Sequence, residues 1–356
     1  MALALTLLLL AAYELAAARV PEHRAALEEL IHRQTGLEVR FAALALRWGW
    51  YGPEALFQDV ELSERQAVLL RAHRLIVSLD AWRMLRSGHL EARRITLEDP
   101  VIDLTGEARP TNIPAPRSAL PAHDAGTRLL ARWRGGEIDI SGGTLRTGVP
   151  GGSDAVTFGI ARAQLRRVDS HWSAEAEVVL PQSLGANLHL TLEWRSRADL
   201  SEISSATVSL EGHHLDLAAW ASVLGVAGRS ASPRSGTAEL QLQAAFVRGR
   251  LQSATGHLAA ESLRWEATPG PNRGASLERL RGNWQLRQRA GRWHLDVDGL
   301  ELETGVRRQG SLAADFSADG ALVRAQARHI GLAPLLRLVH GYVPQPLSSL
   351  ALTGEA

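Results

Sequence analysis

The chain of 356 residues contains no cysteine. That excludes disulfides, thiolate metal sites and a cysteine nucleophile. It suits an oxidising compartment, although many cytosolic proteins lack cysteine too. Lysine is also missing, so all 39 basic residues are arginine. Schiff-base chemistry, a P-loop lysine and a Ser-x-x-Lys acylation site are thereby ruled out. An excess of charge is absent as well. The net charge of +1 offers no basic field for nucleic acid. With 45% hydrophobic and 22% charged residues, the composition is that of a folded chain. The length fits two or three domains, or one extended structure.

Catalytic signatures are missing too. The thirteen histidines include no His-x-x-x-His or His-Glu-x-x-His spacing, and no Gly-x-Ser-x-Gly elbow occurs. His213 and His214 are the only adjacent pair, and the histidines read as solvated strand-face residues. Gly135-Gly136 and Gly142-Gly143 flank a strand, not the start of a helix, which argues against a phosphate cradle. Glu175 and Glu177 alternate on the wet side of a strand and read as solubility. The ten tryptophans read as core and strand-end packing, with a membrane-interface belt as the competing reading. No enzymatic activity, cofactor or metal is expected.

From Ala2 to Ala18 only Thr6, Tyr13 and Glu14 interrupt an apolar run. Two readings lead, ahead of a buried core helix of a cytosolic protein, for which a run at the very N-terminus has little to pack against. One is a secretory signal peptide with Ala16-x-Ala18 as its cleavage site. The other is a retained membrane helix, slightly shorter than the usual span. Either would export the rest of the chain. Val20 to Thr35 has the spacing of a short amphipathic helix with Gly36 as its C-cap.

Beyond Gly36 the dominant period is two. In NLHLTLEW, Leu188, Leu190, Leu192 and Trp194 share one side. In TAELQLQAAF, Leu240, Leu242 and Phe246 do the same, opposite Glu239, Gln241 and Gln243. NWQLRQRAGRWHLDVDGLEL predicts a hairpin turning at Ala290-Gly291, with Trp284 and Leu286 on one arm and Trp293, Leu295 and Val297 on the other. HWSAEAEVVLP places Trp172 in a further alternating run. The body is therefore expected to be mainly β, mostly antiparallel and joined by short hairpins, with one face buried and one wet. The apolar residues Leu188, Leu190, Leu192, Leu240, Leu242, Phe246, Leu286, Leu295 and Val297 are expected to share one side, and Glu193 to face water with Glu239, Gln241 and Gln243. Register alone leaves a closed sandwich open beside a groove.

One short element occurs twice. HLDLAA begins at His214, and HIGLAP begins at His329, 115 residues later. Leu217 to Leu224 and Leu332 to Val339 lack two-residue alternation and predict equivalent short apolar helices, with Pro334 suited to a first turn. Each precedes a Pro/Ser/Gly loop and a new strand. The expected segments are 1–18 (anchor or signal peptide), 19–104 (helix and first strands), 105–127 (Pro-rich loop), 128–228 (a β module ending in a short helix, after a further short helix at RLLARWRGG), 229–341 (a second such module) and 342–356 (the start of a third).

Gly-Leu-x-Val at Gly36, Trp-x-x-x-Gly-Pro from Trp48 to Pro53, and Leu-x-x-Trp-x-Gly-Gly-Glu-Ile from Leu130 to Ile138 resemble the start of the YhdP branch of the AsmA-like superfamily of Gram-negative bacteria. The likeness covers Gly36 to Arg146, and the Leu-x-Leu-Ala helices are similar to that superfamily. The family pattern has a basic leader before the apolar run, none of which is among residues 1–18, and family members are much longer. The resemblance implies a single-pass inner-membrane protein with its body in the periplasm. Its elongated antiparallel sheet would curl into an open groove, or trough, lined by the nine apolar residues above. It would carry phospholipid toward the outer membrane and support the permeability barrier there. Its expected partners are phospholipids, the inner membrane through the N-terminal helix, and envelope proteins at either end. An assembly factor that carries no lipid is one alternative. An outer-membrane β-barrel is another, disfavoured by the non-alternating helices.

Overall fold

The computed structural model describes residues 28–29, 32, 38–49, 52–64, 67–80, 86, 92–105, 136–148, 155–196, 203–224, 232–265, 276–318 and 322–329. They are mainly β. Eighteen strands are joined by one described short helix, and the contacts divide them into two compact units. The Met1–Ala18 segment, the Pro-rich loop, the short helix expected before Gly136 and the second repeated helix lie outside the described residues. Of Val20–Thr35, Glu28, Glu29 and His32 are described, and they are helical. No helix among the described residues is long and apolar enough to cross a membrane.

The first unit holds β1 (Glu38–Arg40), β2 (Ala43–Gly49), β3 (Gly52–Glu64), β4 (Ala67–Leu79), β5 (Ala92–Glu98), β6 (Val101–Asp103), β7 (Gly136–Ser141), β8 (Thr144–Gly148), β9 (Ala155–Val168) and most of β10 (His171–Val179). Alternation sorts its two sides. Leu44, Phe57, Leu75, Leu97, Ile140 and Ala163 succeed one another across six strands. The core gathers on this side around Val39, Phe41, Ala55, Phe57 and Val60, with Phe41 and Phe57 edge to face at 5.2 Å.

Not every pairing is antiparallel. β5 pairs with β7, and β6 with β8, in parallel. The two parallel neighbours break at the same row. Asp99 takes a left-handed φ of 48° before the buried Pro100, and Gly142-Gly143 does so opposite. A Cβ on Gly143 would stand 2.5 Å from the Pro100 carbonyl oxygen, so glycine is what permits this approach. Thr144 N–H donates to that same oxygen at 2.7 Å.

The other side of the first unit carries a charged row, Arg47–Glu54–Ser78–Arg94–Glu137–Arg166. Arg94 and Arg166 donate to Glu137 at 2.5 and 2.8 Å. Burial opposes ionisation of Glu137, but hydrogen bonds from Arg166 and Arg94, with their charges, outweigh it and hold the carboxyl below its usual range. A lowered carboxylate value stabilises the fold above the unfolded value of about 4.3, and that stabilisation disappears as pH falls through the folded value. Glu137→Gln is therefore expected to lower the melting temperature at neutral pH. The gap from the parent should close toward pH ~3. A gap independent of pH, read by calorimetry, would contradict this assignment.

The second unit holds the end of β10, most of β11 (Asn187–Ser196), β12 (Ile203–Asp216), α1 (Leu217–Val223), β13 (Pro233–Val247), β14 (Arg250–Trp265), β15 (Ser276–Arg289), β16 (Arg292–Glu303), β17 (Arg307–Phe316) and β18 (Leu322–Arg328). From β12 to β18 every neighbour in sequence is an antiparallel neighbour in the sheet. Arg248-Gly249 and Ala290-Gly291 close two-residue hairpins with positive φ at both positions, as the right-handed strand twist favours.

The helix begins where the sequence stops alternating. The Asp216 carboxylate caps it, accepting from Ala219 N–H at 2.9 Å. Trp220 Nε1 donates to the Leu184 carbonyl at 3.0 Å, tying the helix to the turn before β11. Leu217 packs on the buried cluster Ala238, Ala260, Leu263, Leu277, Leu300 and Leu302. Just before it, a bulge between Gly212 and Leu215 leaves His214 at φ 52°. The matched residue of the sequence repeat, His329, sits at φ 61° at the end of β18.

Candidate functional site

Cross-strand partners share a face, so the ladder can be traced from strand to strand. One row runs Leu210, Leu242, Gly256, Trp284, Val297, Leu312, Ala327. The next runs Val208, Ala244, Ala254, Leu286, Leu295, Ala314, Ala325. Neither contains a charge or a hydrogen-bonding side chain apart from the Trp284 indole. Phe246 lies two positions along β13 from Ala244, and Leu240 two from Leu242, so both are on this side. Leu188 joins them, because a Cβ on Gly212 would meet its Cδ2 at 2.8 Å and Gly212 is the partner of Leu240. Leu190 and Leu192 share its face by alternation along β11. All nine expected residues thus fall on one side of the second unit.

Burial divides this side in two. Toward the helix it is closed: Ala238, Ala260, Leu263 and Leu277 are at most 3% exposed. Beyond, Leu188, Leu190, Leu192, Leu240, Leu242, Phe246, Leu286, Leu295 and Val297 are all half-buried. A central strand face covered by a second sheet would have its large apolar residues fully buried. Large side chains lie over glycines here. The Trp284 ring occupies the space a Cβ on Gly256 would need, at 2.7 Å, and Val297 and Leu300 crowd Gly282.

The opposite side is polar. Glu193, Glu239, Gln241 and Gln243 are exposed there. Cross-strand contacts tie it together: Gln241 Nε2 donates to Glu211 at 3.0 Å, His257 Nδ1 lies 2.8 Å from Asn283 Oδ1, and His294 contacts Asp315. A depression of about 540 Å³ lies on this polar side, beside His189, Glu211, Gln241, His257 and Asn283. Among the described residues no three histidine or acidic side chains are grouped to hold a metal ion.

Several residues of the apolar side escaped the sequence reading. Ala206, Val208 and Leu210 alternate plainly in β12, and the tight Arg248-Gly249 turn could have paired β13 with β14. β14 itself presents Ala254, Gly256, Leu258 and Ala260, whose small side chains give little contrast with their polar neighbours. The first unit repeats the arrangement on its own scale. Leu46, Val77, Ile95, Ile138 and Leu165 line up across its strands and are half-buried.

No curated protein matches the chain. A family model described as YhdP protein matches residues 1–356. Together with a mainly β body, that match over residues 1–356 means the chain belongs to the YhdP family, an envelope protein family of Gram-negative bacteria.

Proposed function

We propose that this chain carries phospholipid along its apolar sheet face. In this reading Met1–Ala18 holds it in the inner membrane, its body lies in the periplasm, and the curled sheet is an open groove leading toward the outer membrane. The role is that of a carrier, not an enzyme. One observation supports it above the others: the apolar side continues in register over seven strands while its central leucines remain half-buried. An acyl chain in water costs about 0.8 kcal/mol per CH₂, so a two-chain lipid faces well over ~20 kcal/mol crossing unaided. A continuous apolar surface removes most of that barrier and needs no nucleotide.

A photo-activatable side chain tests the reading. Placed at Leu242 in the full chain in cells, it is expected to capture phospholipid at least about tenfold more often than at the adjacent Gln241, which faces the other way. Equal capture at both positions, or none at Leu242, contradicts the proposal. The second outcome is what an assembly factor without lipid would give.

A further inference from the structure

We infer that the tips joining β13 to β14 and β15 to β16 form a phosphate-binding rim, which holds the headgroup of a lipid whose chains lie on the apolar face. This rests on the carrier reading above and adds a site to it.

The first tip is Arg248-Gly249 flanked by Arg250, and the second is Ala290-Gly291 flanked by Arg289 and Arg292. Both are at the same end of the sheet, two strand spacings apart, which is about 10 Å. All four arginines are exposed, and none has a carboxylate partner among the described residues. Arg289 and Arg292 are direct cross-strand partners. Like charges placed so are destabilising, and no acid among the described residues forms an ion pair with them.

The other end of the same sheet is built differently. Arg279 meets Glu261 and Glu303 at 3.4 and 3.5 Å, and Arg307 meets Glu301 at 2.7 Å. Two arginines are thus neutralised within the protein at the helix end, where Arg264 and Arg308 also stand exposed without an ion pair among the described residues; the tips differ in gathering four such arginines at two adjacent turns. A guanidinium fork suits phosphate, which it can take with two parallel hydrogen bonds.

The apolar side says what kind of phosphate. Just inside the tips it carries Phe246 on β13, and Trp293 directly opposite Phe316 on β16 and β17. All three are half-buried. Aromatic rings with cations one or two residues beyond them reproduce the order met at a lipid interface, chains first and headgroup after. Long arginine side chains can reach round such an edge while their stems stay on it. A free phosphate would have no use for the aromatic row.

The test compares two lipids with identical chains, phosphatidylglycerol and diacylglycerol. The full-length protein is equilibrated with vesicles holding both in equal amounts, and the lipid it retains is weighed by native mass spectrometry. The parent is expected to prefer the phosphate-bearing lipid by about tenfold or more, the effect of one or two charge-assisted hydrogen bonds. Replacing Arg248, Arg250, Arg289 and Arg292 by Gln is expected to bring the ratio down to about threefold or less. Total lipid carried should hold within about twofold. The two double variants, one per tip, guard against misfolding of the quadruple one, and each is expected to show part of the loss. A ratio that does not change, or a parent with no preference that still loads lipid, overturns the rim and leaves the carrier reading standing. A parent that loads no lipid overturns both. Loss of preference when inorganic phosphate is added at the lipid's own concentration would mark a free-phosphate site, and would also overturn the proposal.

Discussion

Leu242→Arg is expected to leave the second unit folded and to reduce lipid capture by an order of magnitude or more, whereas Leu263→Arg is expected to unfold it. Both leucines lie on the apolar side of neighbouring strands. Their surroundings differ. Leu263 is 2% exposed and packed among Ala238, Ala260, Leu277, Leu300 and Leu302. A guanidinium there finds neither water nor an acid, and an uncompensated buried charge costs at least about 3–5 kcal/mol, a large part of a domain's stability. Leu242 is half-buried. Its replacement can lay its stem on Gly256 and Leu210 and extend its head to solvent, losing little more than one leucine's burial, about 1.5–3 kcal/mol at most. Circular dichroism of both variants, with crosslinking of lipid to the first, decides the matter. An unfolded Leu242→Arg means that a second layer covers the face, as in a sandwich. A folded Leu242→Arg that still takes up lipid means that the chains travel elsewhere.

The faces of this sheet were legible because a period of two is a physical consequence of the pleat. Once Leu240 is placed, Leu242 is placed with it and Gln241 is excluded. The hairpin turning at Ala290-Gly291 was legible for a similar reason, since few residue pairs tolerate two positive φ values in succession. The first of the repeated helices could be seen where alternation stopped, and its start falls on Asp216, a residue whose side chain can cap. At His214 and His329 the repeat was informative at the level of single dihedrals. Left-handed backbone is uncommon outside glycine, though histidine enters it more readily than most residues, and both copies do.

Other features were hidden. The parallel pairings of β5 with β7 and β6 with β8 join segments separated by the long Pro-rich stretch, and no local signal distinguishes a parallel from an antiparallel neighbour for runs as short as EIDIS. The division between closed core and half-open face was hidden too. Leu263 and Leu242 look alike in sequence. Whether a leucine is covered depends on what the chain folds over it, here α1 through Leu217, not on its own strand. The paired and unpaired arginines could not be told apart for the same reason. Arg307 meets Glu301 across a tight turn, while Arg289 meets Arg292.

Trp172→Ala is expected to cost the first unit about 3–5 kcal/mol, the usual range for emptying a tryptophan site in a core. The residue is the second of β10, just past the Asp169-Ser170 turn, and is fully buried. The Arg167 guanidinium stacks 4.8 Å from the centre of its ring. Arg167 is itself only 9% exposed and donates Nε to the Asp169 carbonyl at 3.1 Å, so it is held in place and cannot swing out to water when the ring goes. The substitution therefore removes packing and also takes the ring from a largely buried cation, a contact worth about 0.5–2 kcal/mol. Two further variants separate the parts. Trp172→Phe keeps an aromatic face below Arg167 and should lose much less than the alanine. Arg167→Met keeps much of the packing and should lose the cation–ring contact together with the hydrogen bond to the Asp169 carbonyl. Urea midpoints for the three variants, compared at equal slope, measure the order. If Trp172→Ala costs under about 1 kcal/mol, the ring is not a core residue of the folded chain. Membrane-interface tryptophan would then become the better account of this position, because a ring that rests in a headgroup layer contributes little to stability in water.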